Sequence, residues 1–336
     1  MRKTIIFVIC VSVVVTLSVS CAMDYVSYAS EKTFSIINAS KVHRKDTNSL
    51  YKVYRIKHKE RNKERHRKKK KLKDLRYASK CVYVYNVTDN KVEFNRNGKK
   101  KMSVTSLVKL MNCRKALQLM KKKNISLKSK VKLSRRAVHL TRKQREVSSK
   151  YELNEKLCYK DLIYAMMLRS DADSAKTIAI RLKGSMGSYV REMNREAKKL
   201  RLEDTKYVNV DGSKKKGQYS TGRDVVKFLR VAMKNKKFYK TMTTAVYRSK
   251  KTSQHPYGVL CKNTTIKRFK KYNNKKFRII GGKYGYSSNI GRTVVVIAKK
   301  RNKTYYIVVM GNKHPKNRKL CLKENIGDVL RVMKHL

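Results

Sequence analysis

Two side chains of the sequence, Ser106 and Lys109, have the types and the spacing of a serine nucleophile and its base. Residues i and i+3 share a helix face, so the lysine can reach the serine hydroxyl if a helix begins here. The positive end of the helix dipole then favours negative charge developing on the serine oxygen. Two pairs of the same form lie in highly charged stretches: Ser129 with Lys132, and Ser213 with Lys216. The Ser106 pair differs because it follows a predicted hairpin and opens an amphipathic pattern.

Lys283 and Ser170 are the candidates to complete such a site. A lysine acts as a base near neutral pH only when its pKa is lowered, and a second cation nearby lowers it. Lys283 stands at the edge of an apolar run, in the glycine-flanked stretch GGKYGYSSNIG, and would supply that cation. Ser170, in the stretch SDAD, would relay a proton between the lysines and a leaving group. The three elements together predict an activated serine.

The elements that must hold these residues follow from the hydrophobic pattern. The stretches CVYVYNV and KVEFNRN predict a β-hairpin from about Tyr77, and SLVKLMNCRKALQLMKKK predicts a helix with one apolar face. Further helical patterns occupy the middle of the chain. Three runs then predict strands, namely FRIIGGKYG, TVVVIAKK and KTYYIVVMG, and a closing helix is predicted from about Glu324 to Leu336. This order predicts an α/β sandwich (α+β), in which an antiparallel sheet is flanked by helices with a helical subdomain.

The order of the three short elements resembles that of a known superfamily. Ser-x-x-Lys, Ser-x-Asn and Lys-Thr-Gly follow one another in the penicillin-binding proteins and serine β-lactamases. This chain resembles in particular the serine-type D-alanyl-D-alanine carboxypeptidases, the low-molecular-mass penicillin-binding proteins. The stretches KKMSVTSLVKLMN, ELNEKLCYKDLIYAMMLRSDADSA and GGKYGYSSNIGRTVVVIAKK carry the likeness, which runs in unbroken order from about Tyr77 to Leu330. The resemblance implies a β-lactamase/transpeptidase-like fold.

The resemblance also implies roles for individual residues. Ser106 would be the acylated nucleophile and Lys109 its base, with Ser170 as the relay hydroxyl. Lys283 would tune the site and help to hold the substrate carboxylate. The backbone N–H groups of Ser106 and Tyr286 would form the oxyanion hole, which does not depend on side-chain identity. The substrate would be the peptidoglycan stem peptide, from which the terminal D-alanine is removed, and β-lactams would be covalent inhibitors.

Two positions depart from the motifs of the family. Ala172 stands where the family usually has Asn, and Tyr284 stands where Thr or Ser normally bonds the substrate's terminal carboxylate. The resemblance places Tyr284 and Gly285 at the substrate with Lys283 and Tyr286. The longer tyrosine side chain would either overshoot the carboxylate or point away from the cleft. Two hypotheses remain: an enzyme of reduced activity, or a peptidoglycan-binding pseudoenzyme with the same fold.

The first 22 residues have the three parts of a secretory signal peptide. Arg2 and Lys3 precede an apolar run from Ile5 to Val19, and small residues follow. The run is shorter than the roughly 20 residues that span a bilayer. A lipid on Cys21 remains an alternative. The sequence thus predicts a secreted or extracytoplasmic protein associated with the cell envelope.

Residues 23–76 are predicted to form a basic, flexible linker, and residues 77–336 the catalytic domain. The linker contains the block KHKERNKERHRKKKKLK at 57–73, with 11 Lys and Arg against 2 Glu. Such a block repels itself and is either a solvated spacer or an arm that becomes helical on binding an anion.

The net charge indicates which partners the protein could bind, and the cysteines indicate whether it has disulfides or a metal site. The net charge of +65 favours electrostatic contact with anionic wall polymers or a membrane surface. Charge alone would also suit nucleic acid, but the leader and the family resemblance argue against that partner. The cysteines outside the leader are five and irregularly spaced, and no Cys-x-x-Cys or His-Glu-x-x-His occurs. We therefore expect neither a disulfide framework nor a metal site, and no cofactor.

Overall fold

A five-stranded antiparallel sheet carries the fold in the computed structural model, which describes residues 44–213, 216–287, 291–312 and 317–336. The sheet has the strand order β2-β1-β9-β8-β7, and two-stranded ribbons join β3 to β4 and β5 to β6. The strands are β1 (Cys81–Asn86), β2 (Lys91–Arg96), β3 (Lys130–Val131), β4 (Leu157–Cys158), β5 (Val246–Arg248), β6 (Leu260–Lys262), β7 (Phe277–Ser287), β8 (Gly291–Lys300) and β9 (Lys303–Asn312).

The described residues also form α-helices and short 3₁₀ and π turns. The α-helices are α1 (Arg44–Asp74), α2 (Val108–Lys122), α3 (Arg135–Lys143), α4 (Tyr159–Tyr164), α5 (Ala172–Lys183), α6 (Met186–Lys199), α7 (Gly222–Ala232), α8 (Lys236–Thr243), α9 (Thr264–Phe269) and α10 (Arg318–His335). Short turns occupy Thr105–Leu107 and Lys270–Tyr272 in 3₁₀ geometry, and Ala165–Arg169 in π geometry. Among the described helices, none combines the length and the apolar character needed to cross a membrane.

The sheet separates two hydrophobic cores because successive side chains of a strand point to opposite faces. In β8, Val295 belongs to the first core, whereas Val294 and Val296 belong to the second. The first core lies between the sheet and helices that include α2, α5, α6 and α7. The second core contains α10 and the end of α1, including the fully buried Leu72. Both faces of the central strands are therefore apolar, as their continuous Val and Ile runs indicate.

The chain divides into two compact units, residues 1–65 and 66–336. In the first unit the structure describes the start of α1, where the side chains from Lys52 to Glu64 are mainly exposed. The second unit holds the sheet and the helices from α2 onwards. The predicted signal peptide and Cys21 lie outside the described residues, and the linker and domain boundaries remain predictions.

The predicted elements of the second unit are present with one change of boundary. β1 and β2 pair antiparallel as the predicted hairpin, and β7, β8 and β9 follow as three adjacent antiparallel strands. The closing helix begins at Arg318 and not near Glu324, because the Asn317 side chain caps it by accepting a hydrogen bond from the Leu320 N–H at 2.8 Å. The predicted sandwich with an antiparallel sheet is confirmed.

Candidate active site

The candidate nucleophile lies on a tight turn directly before α2. Thr105, the residue before Ser106, has a backbone φ of 43°, a left-handed conformation that is uncommon for a β-branched residue. Its hydroxyl shares a hydrogen bond of 2.8 Å with the Thr293 hydroxyl on β8, and both side chains are buried. Gly212 has a φ of 85°, and a Cβ there would come within 2.0 Å of the Thr105 carbonyl oxygen. The turn is thus held from two sides in a strained conformation.

Lys109 reaches Ser106 across the first turn of the helix, as the spacing predicts. Its Nζ donates to the Ser106 Oγ at 3.4 Å and to the backbone carbonyl of Asp211. The lysine is 2% exposed, and this burial lowers the pKa of its amine. The Asp211 and Glu146 carboxylates oppose the lowering, and the Lys176 charge adds to it. The net direction favours the neutral amine that a general base requires.

Ser170 and Lys283 form a second pair in which a buried lysine bonds a serine hydroxyl. Ser170 ends the π turn Ala165–Arg169 in a left-handed conformation, with φ 70° and ψ 28°. The Lys283 Nζ donates to its hydroxyl at 2.7 Å, between residues 113 positions apart in the chain. Lys283 is 2% exposed, and burial, followed by the charges of Lys109 and Arg268, brings its pKa well below the ordinary value. The two lysines are therefore close enough to influence each other electrostatically.

Gly285 allows the strand β7 to lie directly against the nucleophile turn. A Cβ at this position would stand 1.9 Å from the Thr105 Oγ1 and 3.0 Å from the Ser106 backbone nitrogen. Contacts this short exclude any side chain. The segment that continues to Tyr286 therefore adjoins the Ser106 amide, so both predicted oxyanion donors belong to segments in contact.

The Tyr284 side chain faces away from the two serine–lysine pairs. It lies in the second core, 4% exposed, and its hydroxyl donates to the Asn325 Oδ1 on α10. The Arg268 guanidinium lies 4.2 Å from the centre of its ring. Lys283, the preceding residue of the strand, bonds Ser170 instead. Of the two expectations for Tyr284, the structure therefore agrees with the one that points it away from the cleft.

Ala172 presents a methyl group where the family has an amide. It is the first residue of α5 and is 1% exposed. Its backbone N–H donates to the Val147 carbonyl at 2.8 Å, and the neighbouring Asp171 side chain caps the helix. Ala172 thus has a structural role at the start of α5, but its side chain cannot form a hydrogen bond with a substrate.

A buried charge cluster behind Lys109 was not predicted from the sequence. Lys176, on α5, contacts the carboxylates of Asp211 and Glu146. The available signal was a lysine within the otherwise small and apolar run SAKTIAI, which the helix period places on a buried face. In the part of the chain that the structure describes, no group of three or more His, Cys, Asp or Glu side chains could hold a metal ion.

Comparison with protein families identifies one match over most of the chain. The profile described as D-alanyl-D-alanine carboxypeptidase matches residues 64–314. The chain is 24% identical over 249 residues to D-alanyl-D-alanine carboxypeptidase DacF of Bacillus subtilis, a match that covers 74% of this chain and 61% of that protein. It is 24% identical to the D-alanyl-D-alanine endopeptidase of Escherichia coli, over 69% of this chain and 71% of that protein. The match thus spans less than two thirds of the Bacillus protein.

Solved structures with the same fold accompany these relatives. The Streptomyces K15 DD-transpeptidase superposes with a TM-score of 0.67 at 22% identity, over 78% of this chain and 97% of that one. Penicillin-binding protein D2 of Listeria monocytogenes, in its ampicillin-bound form, superposes with a TM-score of 0.61 at 22% identity, over 78% and 98%. At this identity the likeness establishes the transpeptidase-like fold, as the sequence motifs predicted.

Proposed function

The chain belongs to the D-alanyl-D-alanine carboxypeptidase family, and from this premise we propose that it removes the terminal D-alanine of peptidoglycan stem peptides through an acyl-enzyme on Ser106. The observation that carries the proposal is the pairing of each serine with a buried lysine. Lys109 lies 3.4 Å from Ser106, and Lys283 lies 2.7 Å from Ser170. Burying two amino groups in one region destabilises the fold. Their lowered pKa values, however, make them suited to proton transfer.

In the proposed reaction each residue of the site has a distinct role. Neutral Lys109 accepts the Ser106 hydroxyl proton as the oxygen attacks the carbonyl carbon of the penultimate D-alanine. The backbone N–H groups of Ser106 and Tyr286 stabilise the resulting oxyanion. The proton passes through Ser170 to the amine of the departing D-alanine, while Lys283 keeps the Ser170 hydroxyl oriented. Water then hydrolyses the ester and frees the enzyme.

A labelled β-lactam tests the acylation step directly. We expect covalent labelling of the purified protein that disappears in Ser106→Ala. Ser129→Ala is the matched control, because Ser129 has the same Ser-x-x-Lys spacing outside the site and should label like the wild type. A folded wild-type protein that takes no label, or a label that survives in Ser106→Ala, would refute the proposed nucleophile.

The second candidate function is a peptidoglycan-binding pseudoenzyme of the same fold. The orientation of Tyr284 favours it, since the hydroxyl bonded to Asn325 is not available to a substrate carboxylate. The methyl group of Ala172 removes a second polar contact. Loss of one positioning hydrogen bond costs on the order of 1–3 kcal/mol, which slows a reaction without abolishing it. Release of D-alanine from a stem-peptide mimic separates the candidates: a pseudoenzyme binds peptidoglycan and releases none.

The location follows from the proposed substrate. Peptidoglycan lies outside the cytoplasm, so we propose that residues 1–22 direct export and that the chain acts at the cell envelope. The basic block 57–73 would then add electrostatic contact with anionic wall polymers or the membrane surface. Fractionation of cells that express the full chain tests this, because a protein confined to the cytoplasm could not reach its proposed substrate.

A further inference from the structure

Lys176 is a buried cation that lies behind the candidate base. It projects from α5, is 3% exposed, and contacts the Asp211 carboxylate at 2.6 Å. The same ammonium group contacts the Glu146 carboxylate and donates to the Thr141 hydroxyl at 3.2 Å. Its hydrogen-bonding capacity is thus used by three acceptors from two segments: the end of α3 with the turn that follows it, and the loop that contains Asp211. A lysine so placed has a function other than surface solubility.

Asp211 connects this cation to the site because it faces both lysines with different groups. Its backbone carbonyl accepts from Lys109, while its carboxylate is held by Lys176. The adjacent Gly212 packs against the Thr105 carbonyl, so the loop that contains Asp211 touches the nucleophile turn. Lys109 therefore meets the neutral carbonyl of Asp211, while Lys176 holds the charged carboxylate of the same residue.

Five charged groups act on Lys109 from the elements packed around it: Asp211, Glu146, Asp171, Lys176 and Lys283. Burial is the largest influence on the pKa of Lys109 and lowers it, the three carboxylates oppose that change, and the Lys176 charge supports it. Burial alone would raise the pKa of Asp211, but the charges of Lys109 and Lys176 outweigh it and lower that pKa. The charge environment thus favours the ionised form of the Asp211 carboxylate, which Lys176 contacts directly.

We propose that Lys176 is a positioning residue for acylation: by holding the Asp211 carboxylate, it leaves only the Asp211 carbonyl on Lys109 and keeps that amine able to accept a proton. The proposal depends on the proposed function, in which Lys109 is the base. Without Lys176, the other lysine that acts electrostatically on the Asp211 carboxylate is Lys109. A carboxylate in direct contact would hold Lys109 in its protonated form.

The test is the pH profile of acylation of the full chain by a fluorescent penicillin. In Lys176→Met we expect the acid limb of the profile to move to higher pH by about one unit, since an opposite charge in contact shifts a pKa by roughly 1–3 units. At a pH on that limb, labelling would be about ten-fold slower than in the wild type. Lys176→Arg should restore most of the profile, because its guanidinium can hold both carboxylates.

Because Lys176→Met leaves two carboxylates without their cation, a charge-balanced variant keeps the test decisive if that protein does not fold. Lys176→Met combined with Glu146→Gln removes one charge of each sign and still frees the Asp211 carboxylate. It should displace the acid limb in the same direction but by less, because the Glu146 charge that raises the pKa of Lys109 is also removed.

The matched control is a second buried lysine of the same helix as the base. Lys115, on α2, is 8% exposed and pairs with Glu192 at 3.5 Å and Glu196 at 3.8 Å, but it contacts no residue of the site. Lys115→Met should lower the melting temperature and leave the acid limb in place. An unchanged acid limb in a folded Lys176 variant, or an equal displacement in Lys115→Met, would overturn the proposal. Absence of labelling in the wild type would instead refute the proposed function.

Discussion

Replacing Tyr284 with Phe tests whether this side chain belongs to the core or to the substrate site. The variant keeps the ring and its contact with Arg268 but removes the hydroxyl that donates to Asn325. Asn325 is fully buried, and its Nδ2 already lacks a hydrogen-bond partner among the described residues. Its Oδ1 would lose this donor as well. A buried polar atom left without a partner costs about 1–3 kcal/mol, so we expect the free energy of unfolding to fall by about 2 kcal/mol.

Two measurements on the same protein preparation decide the question. The stability loss corresponds to a melting temperature about 4–8 °C below that of the wild type, on the scaling for domains of this size. The rate of acylation by a labelled β-lactam should remain within about two-fold of the wild type, because a side chain outside the cleft contributes no transition-state contact. Tyr77→Phe is the control, since the Tyr77 hydroxyl donates at 3.0 Å to the Leu72 carbonyl in the same core.

The opposite pattern would refute this reasoning. If Tyr284→Phe melts like the wild type but is acylated ten-fold more slowly than Tyr77→Phe, the hydroxyl contacts the ligand and not Asn325. The orientation of β7 around Tyr284 would then differ from the one described, and the hypothesis of an enzyme with reduced activity would gain support over the pseudoenzyme.

Two further predictions concern the nucleophile turn and the start of α5. Gly285→Ala should slow β-lactam acylation by about 100-fold, because its Cβ forces the strand away from Thr105 and Ser106; labelling near the wild-type rate would show that the turn tolerates the shift. Burial, with the Asp173 charge, raises the pKa of Asp171 to about 6 from 3.8. Its stabilising contribution is thus full below pH 4 and is lost as pH rises through 6, so the wild type should lose about 3 kcal/mol relative to Asp171→Asn between pH 4 and 7. Urea unfolding at several pH values measures this difference, and parallel curves for the two proteins would contradict it.

The parts of the site that depend on local geometry could be read from the amino-acid pattern. The Ser106 and Lys109 side chains meet because three positions make nearly one helical turn, and this holds whatever packs around them. The β1–β2 hairpin follows from two β-branched runs separated by a short polar turn. Lys283 and Ser170 were expected to belong to the same site, but 113 positions separate them, so their spacing in the chain could not show that the two side chains bond each other.

The face of the sheet to which Tyr284 belongs required the folded chain. Strand alternation implies that residues 283 and 284 point to opposite sides, but it does not say which side is the cleft. That assignment depends on α10, whose Asn325 lies 41 positions further along and accepts the Tyr284 hydroxyl. The start of α10 itself was also missed, because the polar cap at Asn317 lies outside the apolar pattern that indicated the helix.

The candidate catalytic residues of this protein could therefore be predicted from short-range sequence patterns: a serine, a lysine one helical turn away, and a second lysine on a glycine-flanked strand. Their electrostatic setting could not be predicted in this way. Lys176, Asp211 and Glu146 converge behind Lys109 from α5 and two separate loops, and their burial determines the charge that the base experiences. Spacing along the chain reports which residues share a helix or strand face. Distances between segments, and the exclusion of water that strengthens charge interactions, arise only when the segments pack together.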